Sequence, residues 1–352
     1  MNIFMMIIIS ISLFFLAYGW FLYCSQPATK NTISEKIFKL PTLPFLVLGG
    51  ISCIIMYFLF PKQIDSLIFF PLENILVFFI SGFCVLGLLS RFKSNTSQFI
   101  IILLFSLLNT FLLPQNFALT DGLLPIWSER IILALCWSCF ALLYFILNGV
   151  EGVLSIQSVS VCFGVMLLFA VGIMPTLYGG FSCLFIALFL ALTFYTSYPA
   201  QISFSTTECR FLGYLMGWLG ILTTIEGNGS CFVILNMYYI YELVIALGKR
   251  ISFQKQFKSL ANNTFYSQLA NVGISPRNIC NLISRINLVM ILLAGFQIYS
   301  PNSYTVIIVS FFMVFWISSK ITSPEEHNNH LLLTSSLISF LKKNKTTKDD
   351  EQ

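Results

Sequence analysis

Ile131 to Leu147 reads IILALCWSCFALLYFIL, a run without one charged side chain. Its apolar residues do not alternate as on a half-exposed strand, and they are not confined to one stripe as on a surface helix. The whole circumference is apolar, which suits a helix surrounded by lipid or protein. Ten more runs of near-spanning length follow the same pattern: Phe4 to Cys24, Thr42 to Phe60, Ile68 to Leu89, Gln98 to Leu113, Gln157 to Met174, Leu177 to Tyr195, Phe211 to Ile225, Cys231 to Leu247, Ile283 to Tyr299 and Tyr304 to Ser319. About 20 apolar residues cross the hydrocarbon core of a bilayer as a helix. Continuous apolarity argues against a closed barrel, so helices must satisfy the backbone inside the membrane. The reading predicts an all-α polytopic membrane protein with about 11 transmembrane helices.

Composition agrees. Of 352 residues, 57% are hydrophobic and 9% charged, against about 25% charged in soluble chains. A soluble enzyme, a disordered linker and a basic nucleic-acid-binding domain are excluded. Residues 1–320 read as a single membrane domain, and 321–352 as a short polar tail expected to be disordered. The longest polar segment inside the domain, Gly248 to Leu282, is too short to fold alone. The first run has no preceding basic residue and no small-residue cleavage pattern, so it reads as a retained helix.

Charge placement sets the expected orientation. All but two of the 19 Lys and Arg residues fall in or at the edge of odd-numbered loops and in the tail, counting the cluster from Lys249 to Arg285 together, the exceptions being Lys62 and Arg130. Basic loops stay in the cytoplasm, which puts the N-terminus outside and the C-terminus in the cytoplasm. The net charge of +5 is thus first a topology signal, and the basic loops also suit anionic membrane lipid.

Cys136 and Cys139 form a C-x-x-C inside an apolar run, without the strand context of a redox motif, and are expected to pack as small residues on one helix face. His327 and His330 lie in the polar tail, where no apolar frame would hold a metal. From Ile251 to Leu269, apolar residues recur loosely along one helix face between Lys255 and Lys258, a pattern that suits an interfacial segment.

Three loop segments carry more information. Asn148-Gly149-Val150-Glu151-Gly152-Val153 places one acid between glycines. The segment from Tyr198-Pro199-Ala200 through Ser205-Thr206-Thr207-Glu208-Cys209-Arg210 to Phe211-Leu212-Gly213 puts Ser and Thr directly ahead of an apolar run, where they cap helices. Tyr238-Tyr239-Ile240-Tyr241-Glu242 buries an acid about two turns before Lys249-Arg250, and an ionisable residue at that depth is functional or paired.

In this order the segments resemble the polyprenyl-phosphate N-acetylhexosamine-1-phosphate transferases, from about Ser25 to Ile298. Pro199-Ala200 through Phe211-Leu212-Gly213 follows that family's P-A-K-I-F-x-G-D-x-G-S-x-F-L-G without a gap. Tyr238-Tyr239 to Lys249-Arg250 is similar to its Y-Y-x-x-D with two following basic residues, and Asn148 to Val153 to its D-G-x-D-G-L. Phe265-Tyr266-Ser267-Gln268 and Gly273-Ile274-Ser275 resemble its H-x-x-H-F-Y-Q and G-L-S. The resemblance implies transfer of a sugar phosphate from a UDP-sugar to undecaprenyl phosphate, with magnesium held by carboxylates, in cell-envelope synthesis. It implies catalytic positions at Asn148, Glu151 and Glu242, substrate contacts at Ser205, Thr206, Lys249 and Arg250, and Glu151 as the one metal position.

The chain departs from that pattern where charge matters most. Ser90-Arg91 stands in place of paired aspartates, Asn148 in place of the first aspartate of D-G-x-D-G, Ser205-Thr206 in place of G-D, and Ala261 and Thr264 in place of two histidines. A fixed cation repels a metal and a neutral amide binds magnesium poorly. The expectation is therefore a degenerate transferase of reduced or no activity. The alternatives are a catalytically silent membrane partner or regulator of an envelope enzyme, and a lipid or small-molecule transporter.

Overall fold

Inside a bilayer the backbone has no water to bond, so each segment must close its own ladder and associate through shape and interhelical hydrogen bonds. The structure, a computed structural model, describes residues 3–25, 41–59, 72–113, 124–146, 149–172, 176–244, 269, 274–299 and 304–322. Among them the regular elements are helices: α1 (Ile3–Ser25), α2 (Leu43–Leu59), α3 (Leu72–Arg91), α4 (Asn95–Phe111), α5 (Ile126–Ile146), α6 (Val153–Ala170), α7 (Thr176–Thr196), α8 (Thr206–Ile225), α9 (Gly229–Leu235), α10 (Pro276–Tyr299) and α11 (Thr305–Thr322). Residues 237–244 are helical as well. Met1–Phe311 forms one compact unit and Phe312–Gln352 a second.

Five described stretches are long and apolar enough to cross a membrane: Ile7–Ser25, Ile126–Phe145, Val153–Ala170, Gly179–Thr196 and Pro276–Tyr299. Their outer faces carry exposed large apolar side chains, among them Phe15, Leu16, Phe194 and Phe296. A soluble protein avoids such a surface, whereas lipid accepts it. The chain is a helical membrane protein.

The centre of the first unit is α8, which is buried without interruption from Glu208 to Thr223 and packs against α3, α5, α7 and α9. Small residues permit this. A Cβ on Gly213 would lie 2.7 Å from Ala141 Cα and 2.8 Å from Ala141 O, so α5 and α8 meet backbone to backbone with no room for a methyl group. One turn on, the Trp137 indole covers Gly217 and donates Nε1–H to Tyr214 O at 2.8 Å. Phe78 stacks on Trp218 at 3.9 Å and 8°, and Trp137 on Tyr214 at 4.8 Å and 16°. At the same place Asn109 Nδ2 donates to Ser81 Oγ (2.9 Å) and Tyr214 OH (3.0 Å), and Ser81 and Tyr214 share a 3.0 Å bond. Hydrogen bonds thus join α3, α4 and α8 where the surroundings offer no competing water.

The element boundaries depart from the apolar runs for local reasons. α8 starts at Thr206 and not at Phe211, because Ser205 caps it and polar residues fill its first turn. α10 likewise begins at Pro276, ahead of the apolar run, as suits proline in a first turn. The run from Cys231 to Leu247 is interrupted: Asn236 lies between α9 and residues 237–244, and its Nδ2 donates to Phe232 O at 3.0 Å. Asparagine competes in this way with the ladder itself. Cys136 and Cys139 correct another expectation, since both are exposed and unbonded to one another. On α5 it is Ala134, Trp137, Ser138 and Ala141 that face inward.

Gly213→Ala is expected to lower stability by about 1–3 kcal/mol through overpacking. Gly87→Ala, whose Cβ meets nothing within 4 Å, serves as the matched control with no loss. Thermal unfolding of the two variants in detergent checks the difference.

Candidate functional site

The helix ends around α8 gather several sequence-distant loops on one face of the first unit. Glu151, exposed between α5 and α6, accepts from the Ala200 backbone N–H through Oε2 at 3.1 Å. Its own carbonyl accepts from Cys280 Sγ at 3.2 Å. Gly152 completes the junction with φ 83°, and a Cβ there would lie 3.3 Å from Cys280 Sγ and 3.4 Å from Ser197 Cα. Only glycine suits both the left-handed backbone and the close approach. Just inside, Ser155 Oγ and Thr196 Oγ1 share a 2.8 Å bond between α6 and α7. The 149–152 loop, the 197–202 loop and the start of α10 therefore form one constellation.

A second constellation is centred on Arg210, which is 1% exposed. Its Nη1 donates to Gln98 Oε1 and its Nη2 to Asn95 Oδ1, the latter at 2.8 Å, while the guanidinium lies 4.5 Å over the Phe145 ring. Gln98 Nε2 in turn donates to Leu89 O at 3.0 Å and Phe92 O at 2.7 Å, holding the end of α3. Arginine thus joins the α3–α4 turn, the end of α5 and the start of α8, using amide and ring partners for its charge. Ser90, Arg91 and Lys93 stand exposed at the end of α3 and on that turn, which makes it polar and basic.

Ser205 is the N-cap of α8. Its Oγ accepts from Glu208 N–H at 3.4 Å, and Glu208 Oε2 accepts from Ser205 N–H at 2.6 Å and from Ser205 Oγ–H at 2.7 Å. This is a capping box. Burial pushes the Glu208 carboxyl above its ordinary pKa, against the downward pull of its Ser205 hydrogen bonds. Thr206 is exposed beside the cap. Glu242 is fully buried and accepts from Tyr238 OH at 2.8 Å. Tyr239 meets Tyr144 edge to face at 5.2 Å, which seats this segment against α5.

The structure thus unites Glu151 with the Ala200 segment and places Ser205 and Thr206 at the start of α8. Glu242 occupies an interior position. Asn148, Lys249, Arg250, Ala261, Thr264, His327, His330 and most of the 251–269 segment lie outside the described residues. Arg210, Gln98 and Asn95 were not singled out by the sequence. Arg210 was visible only as a cation just ahead of an apolar run, and nothing in the local pattern distinguishes Gln98.

Among the described residues no group of three or more His, Cys, Asp or Glu side chains could hold a metal ion. Glu151 already spends one carboxylate oxygen on Ala200, and Glu242 is engaged by Tyr238. Magnesium favours nearly octahedral oxygen ligation, commonly with carboxylates, and among the described residues no such group of ligands is gathered. No family model matches the chain, and no curated protein matches it.

Two substitutions test the site's internal supports. Gln98→Leu removes an acceptor from buried Arg210 and a donor from two carbonyls, and is expected to cost about 1–3 kcal/mol. Ser205→Ala removes the cap and is expected to cost about 1 kcal/mol, with Ser205→Thr, which keeps the hydroxyl, restoring most of it. Unfolding midpoints in detergent read both.

Proposed function

We propose that the chain is an inner-membrane protein built on the plan of the polyprenyl-phosphate sugar-phosphate transferases, and that it has become a catalytically silent partner or regulator in cell-envelope synthesis. In this reading it has about 11 spans, with its N-terminus outside, and the face bearing Glu151 and Arg91 lies in the cytoplasm. One observation carries the proposal. Two segments that resemble the family's motifs, around residues 149–152 and 197–210, meet through Glu151 and Ala200, and Arg210 ties the second to the α3–α4 turn, where Ser90-Arg91 departs from the family's paired aspartates.

Chemistry explains why activity would fail first. Transfer between two phosphates needs positive charge that bridges donor and acceptor and polarises the diphosphate. Arg91 and Lys93, together with Lys249 and Arg250, would attract an undecaprenyl phosphate or a UDP-sugar as an anion. A basic face binds such ligands without placing a metal between them. Asn148 contributes an amide where a carboxylate would stand, and Ser205 spends its hydroxyl within the capping box.

A second reading keeps activity, and Glu151 favours it because the carboxylate is exposed at the junction of loops. There, Glu151 with Glu242 would be the remaining acidic positions, with magnesium as cofactor. The two readings separate in one assay. Purified protein incubated with undecaprenyl phosphate, a panel of UDP-sugars and magnesium is expected to release no UMP above a protein-free control. Release that is lost in Glu151→Gln contradicts the silent reading. Orientation has its own check: a reporter fused after Gln352 is expected to be active only in the cytoplasm, and a periplasmic signal would reverse the topology.

A further inference from the structure

We infer that α6, α9 and α10 enclose an internal hydration site, in which ordered water bridges the side-chain amides of Gln157, Asn236 and Asn287. These residues are 0%, 1% and 2% exposed. Four of their polar atoms lack a hydrogen-bond partner: Gln157 Oε1, Asn236 Oδ1, and both Oδ1 and Nδ2 of Asn287. Buried polar atoms are almost always satisfied, by protein or by ordered water. Three uncharged amides with open hydrogen-bonding atoms in one part of an apolar bundle therefore imply a small ligand.

Direct contacts and helix register bring the three together. Gln157 Nε2 donates to Leu235 O at 3.2 Å, which joins it to the residue before Asn236. Cys280 Sγ bonds Glu151 O at the start of α6 and so aligns α6 with α10. From that tie, Gln157 lies six residues on, about 9 Å at the helical rise, and Asn287 seven residues on, about 10 Å along α10, at nearly the same depth. Cys231 Sγ bonds Ala294 O at 3.6 Å and holds α9 to the same helix. The three helices pack pairwise, and Asn287 lies on α10's buried face with Ile283, Ile286 and Met290.

The inventory of open atoms selects the ligand. Three acceptors and one donor need a partner that both donates and accepts. Water does both, commonly making about three hydrogen bonds in a buried site. A bare cation would satisfy the oxygens and leave Asn287 Nδ2 orphaned. Asn236 also interrupts the helix between α9 and residues 237–244, and hydration is one of the ways a broken membrane helix recovers its backbone and side-chain bonds.

The test is a cryo-EM structure of the full chain in lipid nanodiscs at a resolution that shows water, paired with thermal unfolding of Asn287→Leu. The site predicts discrete density within hydrogen-bond distance of at least two of the three amides. It also predicts that Asn287→Leu loses part of that density and unfolds at a lower temperature. An empty cluster gives the opposite sign, because Leu would remove orphaned polar atoms and raise the midpoint. If Asn287→Leu does not fold, Gln157→Met is read in the same way. Amides bonded directly to one another with no density between them, or density with short cation-like contacts and a midpoint that follows sodium or potassium, would overturn the assignment.

Discussion

The contact between Gly213 and Ala141 sets the spacing on which the other helices depend. Lipid tails are as apolar as leucine, so burial of apolar surface does little to drive helices together within a membrane. Close packing and interhelical hydrogen bonds must do most of that work. Where Gly213 meets the α5 backbone, the helices approach closely enough for Trp137 to reach Tyr214 O. The tyrosine side chain then engages Ser81 and Asn109. One missing methyl group thereby connects α3, α4, α5 and α8. A bulkier residue would push the aromatic stack and the hydroxyl–amide network apart together.

The same contact determines where the loops arrive. Since α8 is held against α5, its first turn carries Arg210 onto Phe145 and the α3–α4 turn. Gln98 passes that constraint to the last carbonyls of α3. On the adjoining side, Gly152 lets α6 begin against the end of α7 and the start of α10. The loop face is therefore a product of helix packing, and it can persist while individual loop residues change.

Much of the fold was legible because an apolar helix leaves an unambiguous run of residues. The cap at Ser205 was legible too, since Ser and Thr before such a run have a local reason to be there. Helix starts were misjudged where polar side chains occupy a buried first turn: Glu208 and Arg210 look like loop residues until the capping box and the Gln98 contact are known. The break at Asn236 was hidden by apolar neighbours on both sides. At the site, Glu151 stood out as an acid between glycines, and its tie to Ala200 could not be read from a separation of 49 positions. Nor could the outward position of Cys136 and Cys139, which depends on the inward choice of Trp137.

Loops distant in sequence converge at Gly152, and a cross-link across that residue reports their proximity. Ser197 Cα and Cys280 Sγ both lie within 3.4 Å of the point a Gly152 Cβ would occupy. In a background whose other cysteines are replaced by serine or alanine, Ser197→Cys is expected to cross-link to native Cys280 in intact membranes under a mild oxidant or a short bifunctional maleimide. The linkage should join fragments after protease cleavage in the long segment between them. Failure to cross-link with both reagents, while each cysteine alone accepts a maleimide label after gentle unfolding, would contradict the convergence.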